Sequence, residues 1–193
     1  MNRRKAIHLL AGATVLSWTP ADVKKAAELV ATARRRGGAF EPKFFTPHEW
    51  ETVRLLADLV MPKDERSGSA TDAAVPEFMD FIMIDRPDGQ TAMRGGLGWL
   101  DAECRKRFGK TFVACADAER AQVLDDIAWP ERAKPAFTHG VAFFTRFRDL
   151  TASGFWSSKM GVEDLQYMGN QFVAEWNGCP PAAIRKLGLS TEH

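Results

Sequence analysis

The chain has a single Tyr among its 193 residues, three Cys, four His and almost no net charge. Each shortage removes a class of function. The cysteines stand at 104, 115 and 179 with no Cys-x-x-Cys between them. Zinc knuckles and covalent c-type haem therefore lack their spacing, and a four-thiolate iron–sulfur cluster lacks a ligand. His8 and His193 lie near the two ends, which leaves His48 and His139 for any site. Neither belongs to a His-Glu-x-x-His, and no Gly-x-Ser-x-Gly marks a strained serine nucleophile. With 26 Lys and Arg against 25 Asp and Glu, the basic excess of a nucleic-acid binder is missing. No apolar run reaches the roughly twenty residues that cross a bilayer as a helix. Clean two-residue alternation is absent too, so no strand is predicted. What the chain does have is bulk. Six Trp and thirteen Phe sit in a composition that is 45% hydrophobic and 26% charged, ordinary for a folded protein. This length supports one domain with a core that needs no metal or disulfide.

The first twenty residues read as an export signal. Met1-Asn2-Arg3-Arg4-Lys5 is a cationic start, and the mostly apolar stretch from Ala6 to Trp18 has the length of a signal-peptide h-region. The adjacent Arg3 and Arg4 point to the twin-arginine route, although Lys5-Ala6-Ile7 matches the rest of that motif only in part. An ordinary secretory start and a basic opening to a cytosolic helix are the alternatives. No Ala-x-Ala stands at a cleavage position, so retention of the N-terminus stays open. Residues 21–42 follow as a helical or flexible segment, and 43–193 as one all-α domain.

Within that domain, helices are set out by punctuation. Thr46-Pro47-His48-Glu49 offers an N-cap hydroxyl, a proline in the first turn and a glutamate placed to reach back. Trp50, Val53, Leu56, Ala57 and Val60 follow at helical spacing to Pro62. Further helices are expected from Pro76 to Asp85 and over residues 90–108. Asp117 should cap another, running to Ile127, and one from Pro135 carries Phe137, Val141, Phe144, Phe147 and Leu150 up to a stop at Gly154. Two shorter helices are expected at Val162–Met168 and Pro181–Leu187. The fold class is an irregular all-α bundle with an aromatic-rich, partly irregular C-terminal segment.

Chemistry is sparse. Gly95-Gly96-Leu97-Gly98 lies inside a helix and not after a strand, so it is no dinucleotide loop; small residues there let helices approach closely. A disulfide between Cys104 and Cys115 is sterically conceivable and would stabilise by about 3 kcal/mol; two buried free thiols are the alternative. Cys179 would then be left over. His48 is expected at the surface and His139 as a satisfied core or interface imidazole. The distinctive stretch is residues 154–181, where Phe155, Trp156, Tyr167, Phe172 and Trp176 precede Cys179. Rigid aromatics in irregular chain anchor protein–protein contacts. Alternatively, this tail folds back and fills the bundle's own groove.

The stretch from Phe45-Thr46-Pro47-His48-Glu49-Trp50 through Leu55–Pro62 and Thr71–Phe78 resembles the opening of the gluconate 2-dehydrogenase subunit 3 family. Gly154–Lys159 through Trp176-Asn177-Gly178-Cys179-Pro180 is similar to its end. The resemblance runs from about residue 43 to 188. It implies a small, non-catalytic gamma subunit of a periplasmic or membrane-associated sugar or sugar-acid dehydrogenase, of the gluconate 2-dehydrogenase or glucoside 3-dehydrogenase type. The implied partner is a large glucose–methanol–choline-type flavoprotein that carries FAD, with a cytochrome c subunit in some complexes and haem c or an iron–sulfur centre outside this chain. It also implies that the small subunit bears the export signal and escorts the folded flavoprotein. No catalytic, cofactor-binding or metal residue is carried over to this chain. Two other readings are an independent redox enzyme or carrier using His139 and Cys179, and a structural membrane tether held by an uncleaved N-terminus.

Overall fold

A computed structural model describes residues 21, 24, 25, 28, 40–167, 169, 174, 175 and 178–188. Arg3 and Arg4 lie outside the described residues, as do Phe172 and Trp176. Seven helices are found among the described residues, and no strand: α1 (Pro47–Val60), α2 (Val75–Asp85), α3 (Gln90–Phe108), α4 (Asp117–Ala128), α5 (Thr138–Ser157), α6 (Lys159–Asp164) and α7 (Pro181–Lys186). Single 3-10 turns at Pro87–Gly89 and Pro135–Phe137 lead into α3 and α5. None of these helices is long and apolar enough to cross a membrane.

The prolines and caps act where the spacing places them. Thr46 Oγ1 accepts the Glu49 N–H at 3.3 Å while Glu49 accepts the Thr46 N–H at 2.9 Å, so two donors at the mouth of α1 are satisfied reciprocally. Asp117, expected as a cap, is instead the first residue of α4. The capping group is Glu119, which accepts the Ala116 N–H at 2.7 Å, and Asp117 turns outward to pair with Arg120.

Helix α5 is the central one and packs against α1, α2, α3, α4 and α6. Its buried face carries Phe143, Phe144, Phe147, Leu150 and Phe155. Gly154 does not stop this helix, contrary to the expectation from sequence. A Cβ there would meet the Phe78 ring at 2.8 Å and Val75 at 3.2 Å, so the glycine provides room for α2, and α5 continues to Ser157. The crossing of α3 and α5 is reciprocal. A Cβ on Gly96 of α3 would fall 1.8 Å from the Phe143 ring of α5, and one on Gly140 of α5 would fall 2.5 Å from the Trp99 ring of α3. Each helix thus leaves a gap for the other's aromatic side chain, the close approach that small residues permit.

The segment before α1 is held by a buried acid. Asp80 of α2 is 1% exposed. Its carboxylate accepts the backbone N–H groups of Lys43 and Phe44 at 2.9 Å and of Phe45 at 3.1 Å. Phe44 and Phe45 then enter the core, and Arg94 lies over the Phe44 ring, 4.5 Å from its centroid.

Candidate interaction surface

The end of α5 positions the aromatic segment. Ser158 breaks the helix with an extended backbone, and its hydroxyl accepts the Gly161 N–H at 3.1 Å. A six-residue helix, α6, begins at once. This element replaces the one expected at Val162–Met168: the Ser158 cap starts it earlier, and Gln166 at φ +53° ends it. The elbow is tight enough that a Cβ on Gly161 would lie 2.1 Å from the Phe155 carbonyl oxygen. From the other side, Arg66 in the loop between α1 and α2 donates to the Asp164 carbonyl and pairs with Asp164 Oδ1 at 3.0 Å. Helix α6 is therefore held at both ends.

The aromatic residues of this region divide into two groups. Phe155 is 1% exposed and cannot touch a partner; its assignment to the interface is corrected, because continuation of α5 carries it into the core. Trp156 stands edge-on to it, ring centroids 5.0 Å apart, and is partly buried against the core. Beyond α6, the described Leu165 and Tyr167 face outward. Tyr167 is 59% exposed and Leu165 56%, and Cys179 is exposed as a free thiol. Phe155 and part of Trp156 fill the bundle, while Leu165 and Tyr167 present apolar surface to solvent. Leu165 was missed in the sequence. Its exposure depends on the early start of α6, which no local pattern except the Ser158 hydroxyl announces.

The other candidate residues are dispersed. Cys104 and Cys115 are buried as free thiols; their side chains lie within hydrogen-bonding reach of each other, and burial together with that neighbour pushes the Cys104 thiol up to about 12. His139, expected in the core or an interface, is exposed on α5, beside the buried Gly140. His48 is half-exposed, yet its Nε2 lies 2.6 Å from Asp101 Oδ2. Asp101 is buried, accepts the Phe112 N–H at 2.9 Å through its other oxygen, and pairs with Arg105 at 3.2 Å. One carboxylate thus joins α1, α3 and the loop before α4. Another acid, Glu103, holds Arg107 at 2.7 Å, and Arg107 reaches Asp126 of α4 at 2.7 Å.

Among the described residues no group of three His, Cys, Asp or Glu is placed to hold a metal ion. Within the Gly95–Gly98 cluster, the space beside Gly96 is filled by Phe143. Exposed apolar surface at Leu165 and Tyr167 is what this arrangement supplies.

The family model for gluconate 2-dehydrogenase subunit 3 matches residues 47–177. That span runs from the first turn of α1 through Tyr167 and Trp176. Nothing among the curated proteins and nothing among the solved structures matches the chain.

Proposed function

This chain belongs to the gluconate 2-dehydrogenase subunit 3 family, and we propose that it is the small, non-catalytic gamma subunit of an FAD-dependent sugar or sugar-acid dehydrogenase. In this reading it binds the large glucose–methanol–choline-type flavoprotein, stabilises it and carries it across the inner membrane by its own twin-arginine signal. The complex works in the periplasm, in association with the membrane where a cytochrome c subunit joins it. FAD is held by the flavoprotein, and any haem or iron–sulfur centre lies outside this chain.

The observation that carries the reading is the family match across the helical domain, which includes the aromatic segment. Two features of the chain support it. A short helix held at both ends precedes the exposed Leu165 and Tyr167, and exposed rings are the groups that anchor interfaces. The cationic, apolar N-terminus fits the export of an already folded assembly.

Co-expression with a glucose–methanol–choline-type flavoprotein of the same organism and an affinity tag on this chain tests the proposal. The expected result is a complex whose visible spectrum shows flavin and which reduces a dye in the presence of sugar. Elution of this chain alone would refute the escort role. Sugar-dependent dye reduction by the isolated chain would refute its non-catalytic character.

A further inference from the structure

Two of the three thiols meet in the core, where a docking role makes no use of them. Cys104 is on the buried face of α3, and Cys115 closes the loop that leads to α4. That loop is firmly seated: Phe112 is fully buried, with its N–H on Asp101, and the Cys115 N–H donates to the Thr111 carbonyl at 3.1 Å. The Cys115 side chain reaches both Cys104 and Glu119. In thiol–disulfide exchange the thiolate attacks, and it must reach the oxidant's sulfur. Once folded, Cys115, 2% exposed, cannot reach an oxidant's sulfur, and Cys104 meets neither condition. It has no exposed surface, and with its thiol pushed up to about 12 it carries almost no thiolate at neutral pH. The unfolded chain hides neither sulfur.

We propose that Cys104 and Cys115 form a disulfide only during folding, so that their redox state records the solution in which the core closed and is sealed thereafter. In an oxidising solution, the Cys115 thiolate attacks a small disulfide such as oxidised glutathione and expels one glutathione thiolate. The Cys104 thiolate then attacks the Cys115 sulfur of the mixed disulfide and expels the second. Two protein thiols lose two electrons and two protons, and one glutathione disulfide becomes two glutathione thiols. A chain that closes in a reducing solution keeps both thiols through any later change of compartment. Cys179 stays exchangeable in either form.

The test uses the full chain carrying Cys179→Ser, which removes the exposed thiol. The protein is reduced in guanidinium and refolded by dilution, either into mixed oxidised and reduced glutathione or into dithiothreitol. Each sample is then denatured, alkylated and weighed. Chain refolded in glutathione should be two hydrogens lighter and take up no alkyl group; chain refolded in dithiothreitol should take up two. The decisive arm moves folded, reduced protein into the glutathione buffer without denaturant. It should still take up two alkyl groups, with oxidation roughly tenfold or more slower than in the unfolded chain. Equal rates for folded and unfolded chain would overturn the sealing. Two alkyl groups on the glutathione-refolded chain would overturn the bond itself.

Discussion

Asp80 buries a carboxyl group on which three backbone N–H donors converge. Asp80→Ala would leave those N–H groups buried without an acceptor, and loss of hydrogen bonds to a charged group costs more than loss of neutral ones. The variant should lose about 3 kcal/mol or more of unfolding free energy in urea. A loss under about 1 kcal/mol would mean that residues 43–45 are held by their phenyl rings alone. None of this was legible in the sequence. Asp80 lies amid apolar neighbours (Phe78, Met79, Phe81, Ile82), which flags it as odd, but its partners are more than thirty positions away. His48 and Asp101, further apart still, were hidden for the same reason: local patterns carry caps and periodicity, whereas tertiary pairings depend on how the helices pack. A residue-scale pH effect follows from two acids. The Ala116 N–H, with help from Lys110, holds Glu119 below the usual carboxylate range, and the Ser67 and Arg66 N–H groups do the same for Asp64. A folded-state value below the unfolded one means stability present above the ordinary carboxylate range and lost as pH falls through the folded value. Urea midpoints should therefore decline as the solution is acidified below pH about 4, and Glu119→Gln should decline less steeply than the parent. Parallel declines would exclude Glu119 as a contributor.

Helix boundaries were largely legible because they are written in proline, glycine and hydroxyl residues. The Thr46–Glu49 box, the prolines of α1 and α2 and the αL glycine after α3 at Gly109 all act locally. Gly154 shows the limit of that reading, since a glycine that stops a helix and one that admits a neighbour look alike in sequence. The glycines of α3 separate the two roles by experiment. Gly95 and Gly98 have nothing within 4 Å of a Cβ, whereas Gly96 faces Phe143. Helix propensity alone favours alanine by about 1 kcal/mol at each. Gly95→Ala should therefore raise stability by about 0.5–1 kcal/mol. Gly96→Ala should lower it by about 1–3 kcal/mol through overpacking against the ring. Thermal melts of the two variants settle the comparison, and equal shifts would mean that α3 and α5 separate at little cost.

For the whole molecule, the division of the aromatic segment decides which substitution is informative. Trp156→Ala removes a ring that packs on Phe155, so it should lower Tm as well as partner affinity. Tyr167→Ala touches an exposed side chain and, under the proposed function, should weaken capture of the proposed flavoprotein partner by about 2 kcal/mol, as truncation of an interface anchor does, with Tm unchanged. Unaltered capture with Tyr167→Ala, measured by titration of the purified partner, would move the interface elsewhere. The candidate surface was thus half visible in sequence: the concentration of rings was evident, but the burial of Phe155 and the exposure of Tyr167 follow from the continuation of α5 and the elbow at Ser158. The Asp80 grip acquires a mechanical meaning at this scale. Tension applied to the chain at residues 41 and 42 would enter the helical body at Lys43, Phe44 and Phe45 and be borne there by hydrogen bonds to one carboxylate. Traction from the front of the molecule would therefore unhook this short clip before α1 begins to unwind.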